Sequence, residues 1–207
     1  MEHLQQLALA AGLSWASGFR LYATVLIVGV LGRMGYVHLP SDLLVLQHDW
    51  VLVTAGIMTV AEFLADKVPG FDSVWDSIHT FIRIPIGALL AWGAMGDSTP
   101  ALQMVAALLG GAISGSTHLA KAGTRAAINT SPEPFSNWTA SFGEEGVLLG
   151  GLWLVFHHPL VFLVLLGAFI ALVIWLIPKL FRFLISIWRR LTGSTAPAPA
   201  VQPRLPV

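Results

Sequence analysis

The sequence predicts an all-α fold: a polytopic helical membrane protein of about six spans with two polar helical hairpins. Three observations predict it. Hydrophobic residues make up 56% of the 207-residue chain and charged residues only 11%, where a soluble domain carries roughly 25% charged. Mean hydropathy is +0.76. Two runs free of Asp, Glu, Lys, Arg and His, Ser98–Thr117 and Pro159–Pro178, reach the ~20 residues a spanning helix needs. Such a composition excludes a soluble globular domain. Lys plus Arg equals Asp plus Glu at 11 each, so no basic face is expected and nucleic acid is not a partner. The absence of cysteine rules out disulfides, thiolate metal sites and a cysteine nucleophile.

The passages are expected at 5–32, 50–67, 74–96, 100–128, 136–156 and 160–178, where shorter apolar runs continue at helical spacing through polar residues. Breakers separate them at Pro40-Ser41-Asp42, Pro69-Gly70, Asp97 to Pro100, Pro132 to Pro134 and His157-His158-Pro159. With both termini on the cytoplasmic side, Lys67, Arg83, Lys121, Arg125, Lys179, Arg182, Arg189, Arg190 and Arg204 fall inside. Arg33 falls outside and Arg20 within the first passage. That distribution follows the positive-inside rule. Residues 1–178 thus form the transmembrane domain. Residues 179–192 mix basic and apolar side chains, as in a helix lying at the membrane surface or a continuation of the last span with snorkelling arginines. The Pro/Ala-rich tail 193–207 is expected to be disordered.

The two hairpins carry the chemistry. In the first, Glu62 and Asp66 are four residues apart and share a helix face. Asp72, Asp76, Thr80 and Arg83 then follow at helical spacing, with His79 beside them and Lys67 in the turn region. In the second, His118, Lys121 and Arg125 form a basic stripe, followed by Asn129, Asn137, Glu144 and Glu145. Aromatic residues beside a proline turn in both hairpins suggest an internal repeat, parallel or inverted. A charge inside a span costs about 2.5–3.5 kcal/mol on insertion scales and calls for a partner. Glu62, Glu144 and Glu145 are the expected counter-charges of Arg20.

These residues together describe a cytoplasm-facing polar cavity, and a transporter or channel for a small solute, ion or lipid is the expected function. A non-transporting scaffold or assembly subunit is the alternative; an intramembrane lipid-modifying enzyme is a further one. The lipid bilayer is the expected partner, and homo-oligomerisation is compatible with the sequence. Glu62, Asp66, Asp72 and Asp76 are weak candidates for a divalent metal, but Lys67 and Arg83 lie nearby as ready counter-ions. Asp76, His79 and a serine lack any nucleophile-elbow pattern, no phosphate-binding loop is present, and neither catalytic residues nor a cofactor are expected.

Gly12-Leu-Ser14 with Ser17-Gly18, followed by Glu62-Phe-Leu-Ala-Asp66-Lys67-Val-Pro69-Gly70-Phe-Asp72-Ser-Val-Trp75-Asp76-Ser-Ile-His79-Thr80 and Arg83, resembles the bacterial domain-of-unknown-function family numbered 4126. The resemblance runs from about residue 8 to 176. It departs at Ile84, which separates Arg83 from Pro85. It implies a small polytopic protein of the bacterial inner membrane and supplies no substrate.

Overall fold

The computed structural model describes residues 2–68, 71–96, 98–129 and 134–191. The Pro69-Gly70 turn, the Asp97 breaker, the 130–133 stretch and the 193–207 tail lie outside the described residues. Among the described residues seven α-helices follow one another: α1 (Glu2–Phe19), α2 (Leu21–Arg33), α3 (Asp49–Ala65), α4 (Phe71–Ala94), α5 (Pro100–Ile128), α6 (Pro134–His157) and α7 (Pro159–Leu191). A 3-10 segment, Ser41–Gln47, precedes α3. No strand occurs among the described residues.

Local chemistry explains several boundaries. Thr99 caps α5 by accepting a hydrogen bond from the Leu102 amide at 3.4 Å, with Pro100 at the first helical position. His48 caps α3 through the Trp50 amide in the same way. Pro85 lies inside α4, which continues past it to Ala94. The helix after Pro159 runs through Pro178 to Leu191 as one element of 33 residues, so the basic segment from Lys179 is helical and continuous with the preceding apolar stretch.

The passage expected over 5–32 is not one helix. The chain leaves helical geometry at Arg20 (φ −145°, ψ 94°), and α2 starts again at Leu21. Packing shows that the two halves fold back as a hairpin. Phe162 and Phe169 of α7 meet Trp15 and Phe19 in the same order, so α1 and α7 run parallel. Arg83 of α4 reaches the carbonyls of Gly18 and Phe19, while Gly87 of the same helix meets Ser14; α4 therefore runs antiparallel to α1. At its far end α2 returns to the 3-10 segment, where Gly29 abuts Leu46 and Gly32 abuts Leu39. His3, Gln6, Tyr36, His38, Ser98 and Phe156 accordingly line one cleft. The N-terminus thus lies at the end opposite the two polar hairpins, not beside them as the six-passage reading expects.

Helix α1 is the central element, buried against α4, α5, α6 and α7. Small residues allow this. A Cβ on Gly87 would sit 2.3 Å from Ser114 Cβ, and one on Gly18 would sit 2.5 Å from the Ser114 carbonyl. Gly87→Val is expected to destabilise the protein by about 1–3 kcal/mol through overpacking. Gly146→Val, where no atom lies within 4 Å of an added Cβ, serves as control. Thermal unfolding of the purified variants checks this, and equal midpoints would refute the packing account.

Polarity is distributed inside out. Large apolar side chains cover the outer faces: Val53, Ile57, Val60 and Leu64 on α3, Leu102, Val105, Leu108 and Leu109 on α5, and Leu160, Val161, Val164 and Leu165 on α7. Charged side chains occupy the interior. Among the described residues, one helical stretch, Pro159–Leu176, is by itself long and apolar enough to cross a membrane. The 3-10 segment and α3, bent by 63°, meet that test together. At the exposed start of α3, ahead of the 50–67 passage, Asp49 accepts a hydrogen bond from Arg33, which holds its carboxyl below the usual carboxylate range.

Candidate functional site: a buried charge cluster at a helix break

The site gathers around the point where α1 stops. Four carbonyls at a helix C-terminus lack intrahelical donors, and here cations from neighbouring helices supply some of them. Arg83 donates to the carbonyls of Gly18 at 2.9 Å and Phe19 at 2.8 Å. Lys121 donates to the Phe19 carbonyl at 3.3 Å. Positive charge also complements the negative end of the α1 dipole.

The Arg20 side chain is fully buried. It lies 3.0 Å from Asp66, 3.2 Å from Glu145 and 3.6 Å from Glu144, and donates to the Ser141 hydroxyl at 2.9 Å. Two of its three expected counter-charges are therefore its partners. Glu62 instead pairs with Arg83, which also lies 3.3 Å from Asp76. Asp66 takes Lys121 as well, at 3.0 Å, and Arg125 at 3.8 Å. Arg125 bonds Glu144 at 2.9 Å and donates to the backbone carbonyls of Asp66 and Asn137. Lys121 lies 3.5 Å from Glu144 and 3.9 Å from Asp76. The acidic hairpin α3–α4 and the basic stripe of α5 thus interlock, and α6 brings the remaining acids.

Four cations (Arg20, Arg83, Lys121, Arg125) face five carboxylates (Glu62, Asp66, Asp76, Glu144, Glu145) within 4.0 Å. Fully ionised, the cluster carries one net negative charge. Both Asp76 oxygens, one oxygen each of Glu62, Asp66 and Glu144, and nitrogens of Arg20, Arg83 and Arg125 are buried without a hydrogen-bond partner among the described atoms. Taking this many charges out of water costs several kcal/mol per ion, which Coulomb attraction offsets only with good geometry. The cluster is not an economical way to build a stable core.

The other expected residues surround it. Asp72 accepts from Asn129 at 2.9 and 3.0 Å, and Asn137 donates to Asn129 at 2.9 Å. His118 Nε2 lies 2.7 Å from Thr80 Oγ1 and 3.1 Å from the Asp76 carbonyl. His79 stacks on Trp75 and meets Tyr22 edge-on. Lys67 turns away from the cluster onto aromatic rings. As a metal site the four candidate acids do not converge: no group of three metal-ligating side chains occurs among the described residues, and Glu62 and Asp66 are occupied by cations.

Sequence reasoning missed Ser141 and the Gly18 and Phe19 carbonyls. Ser141 carried a usable signal, four residues after Asn137 and three before Glu144 on the same face. The carbonyls carried none. The cleft at the opposite end, 870 Å³ in volume, also lay outside the expected site.

A model of the family described as a domain of unknown function (DUF4126) matches residues 7–179. No curated protein and no solved structure matches the chain.

Proposed function

Since the chain belongs to the DUF4126 family, whose description names no activity, we propose from its geometry that it is a membrane carrier or channel for a small ion, solute or lipid, gated by the buried charge cluster. The carrying observation is the break at Arg20: α1 ends and α2 begins inside a buried set of charges. Discontinuous helices whose ends meet charged groups form the binding sites of many transporters. Intramembrane ionisable residues mark ion and substrate paths by default.

Apolar outer faces and charged interiors support membrane embedding. In this reading α3 to α7 cross the bilayer and α1–α2 enter and return. The 13 residues of α2 rise about 20 Å, short of a hydrocarbon core of about 30 Å. Lys67, Lys179 and Arg182 lie towards the charge-cluster end, which is then cytoplasmic, with the N-terminus on the other face. Because the chain has no cysteine, His3→Cys is a clean probe. It is expected to react with an impermeant maleimide from outside intact cells, while a reporter fused after Val207 stays cytoplasmic. Both on one side would overturn this topology.

Reconstituted protein is expected to raise proton, Na⁺, K⁺, Cl⁻ or fluorescent-phospholipid flux above that of empty liposomes. Asp76→Asn should cut the flux at least tenfold with unchanged reconstitution. The scaffold reading is favoured by one observation: every cation of the cluster lies within 4.0 Å of a carboxylate. Liposomes as tight as empty ones to all five probes would select it.

A further inference from the structure

Lys67 follows α3 directly after Asp66, the acid that gathers three cations, yet its ammonium points elsewhere. The Nζ atom lies 2.9 Å from the Phe63 ring centroid, 5.0 Å from that of Phe142 and 5.8 Å from that of Trp138. Phe63 and Phe142 stand edge to face, centroids 6.0 Å apart, so rings from α3 and α6 enclose one cation. Its one hydrogen bond among the described residues, to the Phe63 carbonyl, spans 3.5 Å, beyond the usual 2.7–3.2 Å. It makes no ion pair with a described residue, although the buried carboxylates begin one residue away. The rings themselves hold the ammonium. Trp138 and Phe142 are half exposed, so the enclosure opens outward.

A ring of aromatic faces is the recognition chemistry for alkylammonium groups. We propose that Phe63, Trp138 and Phe142 form an alkylammonium-binding site whose resident occupant is the Lys67 side chain, displaced when a ligand ammonium enters. The tether is a flexible four-carbon stem and the bond to be broken is long, so displacement sacrifices little. The ligand is either an amine-bearing lipid headgroup or a free amine of the same chemistry. The site stands on its own geometry; only the lipid source rests on the membrane reading above.

The test follows the Trp138 resonance of full-length protein labelled with 5-fluorotryptophan, assigned with Trp138→Phe. Tetramethylammonium is expected to shift it in Lys67→Ala at a concentration at least tenfold lower than in the wild type, with NaCl at equal ionic strength inert. Phe142→Ala added to Lys67→Ala should abolish the shift. Wild type in nanodiscs containing phosphatidylethanolamine, compared with phosphatidylglycerol alone, tests the lipid source; free ethanolamine tests the soluble one. Lys67→Met, which retains the apolar stem, serves if Lys67→Ala does not fold. A Trp138 resonance unmoved by tetramethylammonium in a folded Lys67 variant overturns the proposal, as does a wild type that answers to neither amine source. Neither result depends on whether flux is seen.

Discussion

Neutralising Asp66 as Asp66→Asn is expected to destabilise the protein by about 3–5 kcal/mol, the cost of removing one partner from a buried ion pair. Asp66 is fully buried and is the point where three helices meet electrostatically. Arg20 and Lys121 each lie 3.0 Å from its carboxylate, and Arg125 lies 3.8 Å away. Without its charge, Lys121 keeps only Glu144 at 3.5 Å and Asp76 at 3.9 Å, and four cations are left facing four acids in a geometry built for five. Denaturant titration of the purified protein measures the loss. Asp49→Asn, which unpairs the exposed Arg33, should be silent by the same assay. An Asp66→Asn variant as stable as the wild type would mean that water already screens the cluster.

The second large effect concerns Glu62 and Arg83. Arg83→Met strands the buried Glu62, and Glu62→Leu leaves Arg83 with Asp76 at 3.3 Å as its one carboxylate; each is expected to cost about 3–5 kcal/mol. Arg83→Met should be the worse of the two, because it also removes the donors to the Gly18 and Phe19 carbonyls and unpins the end of α1. The double variant is expected to be less damaged than the sum of the singles, since no charge of the pair is then unpartnered. Arg83→Lys should not rescue, because one ammonium cannot reproduce the fork that spans two carbonyls and two carboxylates. Simple additivity in the cycle would refute direct pairing.

These expectations mark how far the chain could be read without coordinates. Four of the six expected passages correspond to helices within a few residues and a fifth, 160–178, to a helix that runs on to Leu191, because apolar runs bounded by Pro, Gly and Asp are local signals. Both hairpins open at one end, and their charged faces were legible from spacings of three and four. The failure at 5–32 has a physical cause. Neither Phe19 nor Arg20 is a helix breaker, and the apolar pattern continues on both sides. What ends α1 is tertiary: the arginine and the lysine that take its carbonyls come from positions 83 and 121. The same long range hid the partner exchange that sends Glu62 to Arg83 and Asp66 to Arg20. Spacing along one helix shows which side chains share a face, but not which face they meet.

The separation also sets a timetable. Ser141, which accepts from Arg20, lies 121 residues further along the chain, and Glu144 and Glu145 follow it. At a synthesis rate of about 5–20 residues per second, Arg20 leaves the ribosome roughly 6–24 s before these partners exist. For much of that interval Asp66, made 46 residues after Arg20, is the one acid of its final set that the guanidinium can meet, and the central helix can find its seat only after the helices that surround it have been made.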